Sequence, residues 1–143
     1  PAFKTYNYTI TTTGNTNSCA EASISGSIDL VNGYVPAETY TINVTASSSS
    51  DYTLSGSDRT GNISGSDPNL TFSIGDTINF AVDASGHPFY LKTVQGTGTS
   101  DLISDVTNNG ATNGTVSWTP TSAGTYYYQC SLHNGMNGTI TVN

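Results

Sequence analysis

The residues best suited to bind a metal ion are concentrated in one short stretch of the chain. Only two His, two Cys and one Met occur among the 143 residues, and three of these five are Cys130, His133 and Met136. The spacing C-x2-H-x2-M allows one loop to surround a single ion, while His87 would have to approach from a distant strand. We therefore predict a metal site with the ligands His87, Cys130, His133 and Met136.

The mixture of donor atoms indicates which metal this site would bind. One thiolate, two imidazoles and one thioether form the soft set in which a trigonal His₂Cys group with a weak axial Met binds both Cu(I) and Cu(II). Zinc prefers four strong ligands, and a thioether is not one of them. The donor set therefore predicts one copper ion.

Each of these residues also has an ordinary structural explanation. A single buried Met commonly fills a core, and a His near a strand end is commonly a satisfied surface group. The two cysteines could form a Cys19–Cys130 disulfide. Without that disulfide, Cys19 would be an unpaired or intermolecular thiol.

The composition predicts that β-strands position these side chains. The chain has 19 Ser, 24 Thr, 14 Asn and 15 Gly, which together make 72 of its 143 residues. Residues that favour helix are scarce, whereas Thr, Ile, Val and nine Tyr favour strands. Apolar residues recur with period two in many short runs separated by Gly, Asn and Pro. This pattern predicts an all-β fold, a Greek-key β-sandwich preceded by a short N-terminal β segment.

We expect a domain boundary near residue 50, where the four serines Ser47–Ser50 form the most flexible joint. The division predicted is 1–50 for the N-terminal β segment and 51–143 for the metal-binding domain. The first segment has three period-two runs but no His and no Met, so we expect it to serve assembly or packing rather than chemistry. Its apolar residues would pack on the metal-binding domain or on neighbouring subunits. These residues are Tyr6, Tyr8, Ile10, Ile28, Leu30, Tyr40, Ile42 and Val44.

The charge and the missing motifs exclude several classes of function. A net charge of −7 would repel a nucleic-acid backbone, and the longest apolar runs are too short to insert into a membrane. No nucleophile constellation and no glycine-rich phosphate loop occurs, so we expect no enzymatic activity. The residues from Pro1 onward do not resemble a secretory signal, and we expect a virion or cell-exterior location, or a periplasmic or secreted one if a signal was removed.

Two stretches of the chain resemble a known family. Residues 128–142, YQCSLHNGMNGTITV, resemble the copper loop and last strand of the cupredoxins, the type 1 blue copper proteins of the plastocyanin kind. Upstream, residues 70–80 resemble the hairpin that precedes the first ligand, and Gly86-His87-Pro88-Phe89 matches that ligand's position. The resemblance covers residues 52–143. It implies a mononuclear type 1 copper site and one-electron transfer.

One departure from the family concerns the residue after the first histidine ligand. This residue is usually Asn, whose backbone N–H approaches the copper-bound sulfur, whereas here it is Pro88. Proline has no N–H, so one hydrogen bond to the Cys130 thiolate is missing.

Two roles that differ in partner are predicted, the first from the resemblance and the second from the Ser/Thr/Asn/Gly-rich composition. In the first, an electron leaves through the edge of His133 to a redox partner protein that docks on Pro88, Leu132, Asn134 and Gly135. In the second, the chain is a structural protein of a cell surface or virion, such as a capsid decoration or tail protein, similar to cupredoxin-type modules of marine phages. Copper would then be a staple or absent, and the partners would be structural subunits or further copies of the chain.

Overall fold

The computed structural model describes residues 3–12, 22–31 and 35–143, and these residues contain eleven β-strands and no helix. In the strands Thr39–Thr45, Thr77–Asp83 and Asn137–Val142 every second residue is buried, as the period-two pattern predicts. Their bounds are β1 Phe3–Thr12, β2 Ala22–Val31, β3 Thr39–Thr45, β4 Thr53–Asp58, β5 Gly61–Ser66, β6 Leu70–Phe72, β7 Thr77–Asp83, β8 Phe89–Lys92, β9 Asn113–Trp118, β10 Gly124–Cys130 and β11 Asn137–Val142.

The chain divides into two compact units, Pro1–Pro36 and Ala37–Asn143. In the first unit β1 and β2 form an antiparallel pair, with Phe3 opposite Val31 and Thr12 opposite Ala22. The two strands predicted in this segment are therefore confirmed. Cys19 lies outside the described residues.

The second unit is a sandwich of two mixed sheets. One sheet has the order β5-β4-β3-β7-β9 and the other the order β6-β11-β10-β8. The pairs β3–β7 and β6–β11 are parallel, and the remaining pairs in both sheets are antiparallel. The predicted all-β, Greek-key sandwich is confirmed. Among residues 3–12, 22–31 and 35–143 there is no apolar helix of membrane-spanning length.

Aromatic rings fill the centre of the sandwich beneath the predicted site. Phe89 lies 5.0 Å from Phe80 and 5.5 Å from Tyr128, measured between ring centroids, and its ring stacks on that of Tyr128. All three side chains are fully buried. Burying each contributes about 1.5–3 kcal/mol, which makes this cluster a rigid base for β8 and β10.

The structure places β3 differently from the expected boundary near residue 50. β3 lies inside the five-stranded sheet, between β4 and β7, and its Tyr40, Ile42 and Val44 are buried in the core. Residues 46–52 connect two hydrogen-bonded neighbours, so the serines form a connection within one sheet rather than a joint between domains. Period-two spacing shows that a strand exists but does not show which sheet it joins.

Residues 70–80, which the resemblance predicts to form a hairpin that turns at Gly75 and Asp76, do not form one. β6 pairs with β11, while β7 pairs with β3 and β9 in the opposite sheet. The turn therefore crosses from one sheet to the other. Asp76 closes this crossing by accepting the backbone N–H of Ser73 and that of Glu38, at 2.8 and 2.9 Å.

β5 was not expected from the sequence. Its residues GNISGS include one apolar side chain, Ile63, and such composition has low strand propensity. The strand forms because β4 supplies six antiparallel partners, from Thr53–Ser66 to Asp58–Gly61. Tertiary pairing here outweighs local preference.

Candidate metal centre

The connection between β7 and β8 presents His87 at one end of the sandwich. The His87 N–H donates to the Ala84 carbonyl at 2.9 Å and closes a turn. Gly86 has φ +81°, which glycine adopts without the steric cost of a side chain. β8 then begins at Phe89, directly opposite Cys130. His87 is therefore held two residues before Phe89, which pairs with Cys130 across the sheet.

The loop from Cys130 to Met136 folds back on itself at the same end. The Cys130 N–H donates to the Met136 carbonyl at 2.9 Å, and the Met136 N–H donates to the His133 carbonyl at 3.3 Å. A Cβ on Gly135 would lie 3.1 Å from the Ser50 carbonyl, so the connection between β3 and β4 leaves little room for a side chain there. We call this end of the sandwich, with residues 84–88 and 130–137, the loop end.

Three of the four predicted ligands come together at the loop end. The Nδ1 atoms of His87 and His133 are 3.2 Å apart, and the Cys130 Sγ lies 3.5 Å from the His133 Nδ1. One ligand atom from each residue lies within 4.8 Å of the others. Nitrogen and sulfur ligands bind such ions at about 2.0–2.3 Å, so two ligands of one ion are about 3.2–3.8 Å apart. The separations between His87 and His133 and between Cys130 and His133 fit one shared ion.

The contact between the two imidazoles requires a shared proton or a shared cation. Two neutral rings that both present an Nδ1 lone pair at this distance repel each other unless a proton or a cation lies between them. The ring centroids are 4.9 Å apart with planes inclined by 42°, so the nitrogens meet edge to edge rather than by stacking.

Burial differs sharply within the cluster. Cys130 and Met136 are completely buried, while both histidines are partly exposed. Beside them Leu132 is 63% exposed. Cys130 is a free cysteine among the described residues. The alternative of a Cys19–Cys130 disulfide depends on Cys19, which lies outside them. The backbone of Met136 closes the loop, and its role as a fourth ligand stays a prediction.

Two residues that sequence analysis missed hold the backbone of the predicted ligands. The Gln129 Nε2 donates to the carbonyls of Cys130, His133 and Met136 at 3.0, 2.9 and 3.1 Å. A Gln directly before a predicted ligand, inside a strand, was the available signal.

The second missed residue is Tyr52, which is fully buried. Its hydroxyl lies 3.1 Å from the His87 carbonyl and 3.0 Å from the Pro88 carbonyl. Burial raises the pKa of Tyr52 far above its usual range, and the neighbouring Cys130 raises this pKa further. The hydroxyl therefore stays protonated and holds the backbone at His87 and Pro88, where proline has no N–H to form a hydrogen bond of its own.

Asp67 also lies near the loop end. Its carboxyl group has no ion-pair partner among residues 35–143. Asp67 accepts the Tyr52 N–H at 3.0 Å. Burial raises the pKa of Asp67 to about 6, although backbone hydrogen bonds from Tyr52 and Asn137 oppose that rise. Its charged form is therefore poorly stabilised.

The opposite end of the sandwich holds a charged cluster, which we call the ion-pair end. Arg59, in the turn between β4 and β5, bonds both carboxylate oxygens of the fully buried Asp76 and lies 3.2 Å from Glu38. Burial alone would raise the pKa of Asp76. Hydrogen bonds from Arg59 and from two backbone N–H groups outweigh it and lower that pKa.

Comparisons with known proteins give structural matches only. No protein-family model matches the chain, and no curated protein matches it significantly. The copper protein rusticyanin is 20% identical, covers 80% of this chain and 86% of its own, and has a TM-score of 0.50. A rusticyanin variant is 20% identical, covers 80% and 85%, and has a TM-score of 0.51. The purple cupredoxin from Nitrosopumilus maritimus is 24% identical, covers 72% and 98%, and has a TM-score of 0.46.

The rusticyanin matches show the fold that the strand order describes. They extend over most of both chains, and rusticyanin is a cupredoxin. The predicted resemblance is thereby confirmed at the level of the fold: the β-sandwich of this chain is a cupredoxin fold with a His-Cys-His cluster at its loop end.

Proposed function

We propose that this chain is a copper-binding protein of the cupredoxin kind that transfers single electrons, with His87, Cys130, His133 and Met136 as the ligands of one ion. The observation that carries the proposal is the cluster of two imidazole nitrogens and one thiol sulfur within 4.8 Å. When bound, copper supplies the one-electron couple Cu(I)/Cu(II). The proposed role is to carry an electron rather than to catalyse a reaction.

The surrounding residues suit this role because they keep the donor atoms in place. Cys130 is completely buried, which shields its sulfur from water and oxidants. Phe89, opposite Cys130 on β8, packs in the aromatic cluster of the core. A site on such a base changes little between two oxidation states, which suits rapid electron transfer.

A partner protein would meet the site from the loop end. His133 is partly exposed, and Leu132 next to it exposes 63% of its surface. Asn134 and Gly135 are exposed, and Pro88 is partly exposed. This rim is uncharged and has an apolar centre, so we infer that a redox partner docks through a small apolar patch.

The direct test is to add Cu(II) to the reduced protein and record the visible spectrum. We expect an intense charge-transfer band from the Cys130 thiolate, because no other described residue supplies a thiolate. Cys130→Ala should abolish the band, and His87→Ala or His133→Ala should weaken copper affinity strongly. Met136→Leu should keep the colour and shift the reduction potential.

Ser131→Ala is the matched control, since Ser131 lies in the same loop and is no predicted ligand. It should leave the band unchanged. A colourless copper complex of the unmodified protein would overturn the proposal.

The alternative of a structural surface or virion protein stays a prediction. Light scattering tests this alternative, because a structural subunit assembles into oligomers at working concentrations. A soluble electron carrier would be a monomer in the same experiment and would give a reversible voltammogram.

A further inference from the structure

The backbone carbonyls of all three predicted loop ligands converge on one side chain. The Gln129 Nε2 lies 3.0 Å from the Cys130 oxygen, 2.9 Å from the His133 oxygen and 3.1 Å from the Met136 oxygen. Gln129 is completely buried. Among the hydrogen bonds of the described loop residues, this amide nitrogen alone touches all three ligand residues.

The chemistry of the amide determines its orientation. Carbonyl oxygens only accept hydrogen bonds, so the NH₂ group must face them, and the opposite flip would bring four oxygens together. Two N–H groups are then shared among three acceptors. The amide oxygen at the other end is buried and has no hydrogen-bond partner among the described residues. A buried acceptor without a partner is unfavourable, so the stabilisation at the nitrogen end must outweigh it.

The position of Gln129 in the sheet keeps this amide from moving away. On β10 it lies opposite Asn137 of β11 and Tyr90 of β8. The segment after β8 is bonded to its neighbours, because the Gly98 N–H donates to the Ser131 carbonyl at 2.8 Å and Gln95 donates to the Asn137 side chain at 2.6 Å. The Gln129 side chain is completely shielded from solvent in this position.

We propose that Gln129 is the positioning residue of the metal loop: it fixes the backbone of Cys130, His133 and Met136 in one arrangement before an ion binds. This inference rests on the proposed copper function, because it assigns Gln129 a role at that same site. Gln129 touches no predicted donor atom, so it acts through the ligands' backbone. Copper affinity and site geometry should then depend on it, as they do for residues that orient metal ligands.

The test compares two variants with a matched control. Gln129→Met keeps the length of the side chain and removes its hydrogen bonds, and Gln129→Asn keeps the amide but is one methylene shorter. The control is Asn109→Leu, because Asn109 is a similar amide that bonds the Leu91 N–H and the carbonyls of Leu91 and Ile103, away from the predicted ligands.

Three measurements separate a positioning role from general stability. The first is exchange of the Cys130 amide hydrogen in the metal-free protein, since that N–H bonds the Met136 carbonyl within the loop. The second is Cu(II) affinity by competition with a chelator. The third is the visible charge-transfer spectrum of the copper complex, recorded as the ratio of the intensities of its absorption bands. Thermal unfolding of the metal-free proteins is recorded alongside.

We expect both Gln129 variants to lose about 10–100-fold in copper affinity, to exchange the Cys130 amide faster and to alter the band ratio. Asn109→Leu should lower thermal stability and leave all three measurements unchanged. If Gln129→Met does not fold, Gln129→Asn carries the same comparison. Wild-type affinity, exchange and spectrum in the folded Gln129 variants would overturn the proposal. The wild-type protein could form no coloured copper complex while the Gln129 variants still exchange the Cys130 amide hydrogen faster. That outcome would overturn the copper function and support the role of Gln129 in fixing the loop backbone.

Discussion

The two ends of the sandwich are held together by different chemistry. At the ion-pair end, the guanidinium of Arg59 binds the buried carboxylate of Asp76, which also accepts two backbone N–H groups. At the loop end, the predicted ligands are held by uncharged groups, the amide of Gln129 and the hydroxyl of Tyr52. One end thus uses a charge pair and the other uses neutral dipoles.

The difference shows where a buried charge is tolerated. A charge close to a metal site would change the relative stability of its two oxidation states, whereas neutral dipoles hold the backbone with a smaller electrostatic effect. At the ion-pair end no such site exists among residues 35–143, and a charge pair can connect β3, β4 and β7 directly.

The largest effect should come from removing β3, because this strand runs between β4 and β7 in the five-stranded sheet that joins the two ends. A chain that begins at Ala37 should keep the cooperative unfolding of the sandwich, because Ala37–Asn143 is a compact unit. A chain that begins at Ser50 lacks a strand that lies between β4 and β7, so it should not fold. Circular dichroism and thermal melts of both fragments check this. Cooperative unfolding of the shorter fragment would contradict the assignment of β3 to the sandwich.

The ion-pair end should break next. Asp76→Ala removes the Arg59–Asp76 ion pair and leaves two backbone N–H groups without their acceptor, and we expect a loss of about 3 kcal/mol in the free energy of unfolding. Because the pKa of Asp76 is lowered, its stabilisation is present at neutral pH and is lost as the pH falls below about 4. Urea unfolding measures both effects.

Asp83→Ala is the control for this variant, because Asp83 is an exposed carboxylate at the other end of β7. It should change stability by less than about 0.5 kcal/mol. The copper spectrum should stay unchanged in both variants. A spectral change in Asp76→Ala would show that the two ends are coupled.

A smaller effect is expected from Tyr52→Phe at the loop end. This variant removes the hydroxyl that bonds the His87 and Pro88 carbonyls but keeps the ring in the aromatic cluster. We expect a loss of about 1 kcal/mol in unfolding free energy and a several-fold weaker affinity for Cu(II). Tyr126→Phe, which removes a hydroxyl bonded to Ser122 at the exposed side, should leave the affinity unchanged.

The smallest effect concerns the pH dependence of the free energy of unfolding. Asp67 at the loop end and Asp76 at the ion-pair end should change it in opposite directions. The folded-state pKa of Asp67 is about 6, above its usual 3.8, so its contribution to stability is greatest below pH 3.8 and is lost as the pH rises through 6. Asp67→Asn should remove this decline and make the protein slightly more stable than wild type at pH 7. Urea unfolding at pH 4 and pH 7 tests it, and an unchanged pH profile would contradict the assignment.

The ligand cluster was easier to predict from sequence than the residues that support it. Cys130, His133 and His87 are rare residue types in this chain, so their chemistry limited the choices. Gln129 is of a type with no fixed role, and only its buried position in β10 reveals what it bonds. Side-chain chemistry can be inferred from residue type, whereas a backbone hydrogen-bond hub requires the path of the chain.

The sheet partners were also beyond the sequence pattern. Alternating residues predicted β3, β6 and β7 as strands, but pairing with a distant strand determined their sheets. β5 shows the converse, because its Gly and Ser residues gave no strand signal and its partner β4 alone stabilises it. Local patterns identified the strands, and long-range contacts determined the topology.

The parallel pairing of β6 with β11 has a consequence for the order of events in the cell. Leu70 pairs opposite Ile140, so the four-stranded sheet stays open on the ribosome until the last of these residues has been synthesised and released. The loop from Cys130 to Met136 joins the two strands that complete this sheet. Such distant pairings slow folding. The predicted metal site is therefore completed only once β11 has emerged from the ribosome, so this strand has to be in place before the site can hold an ion.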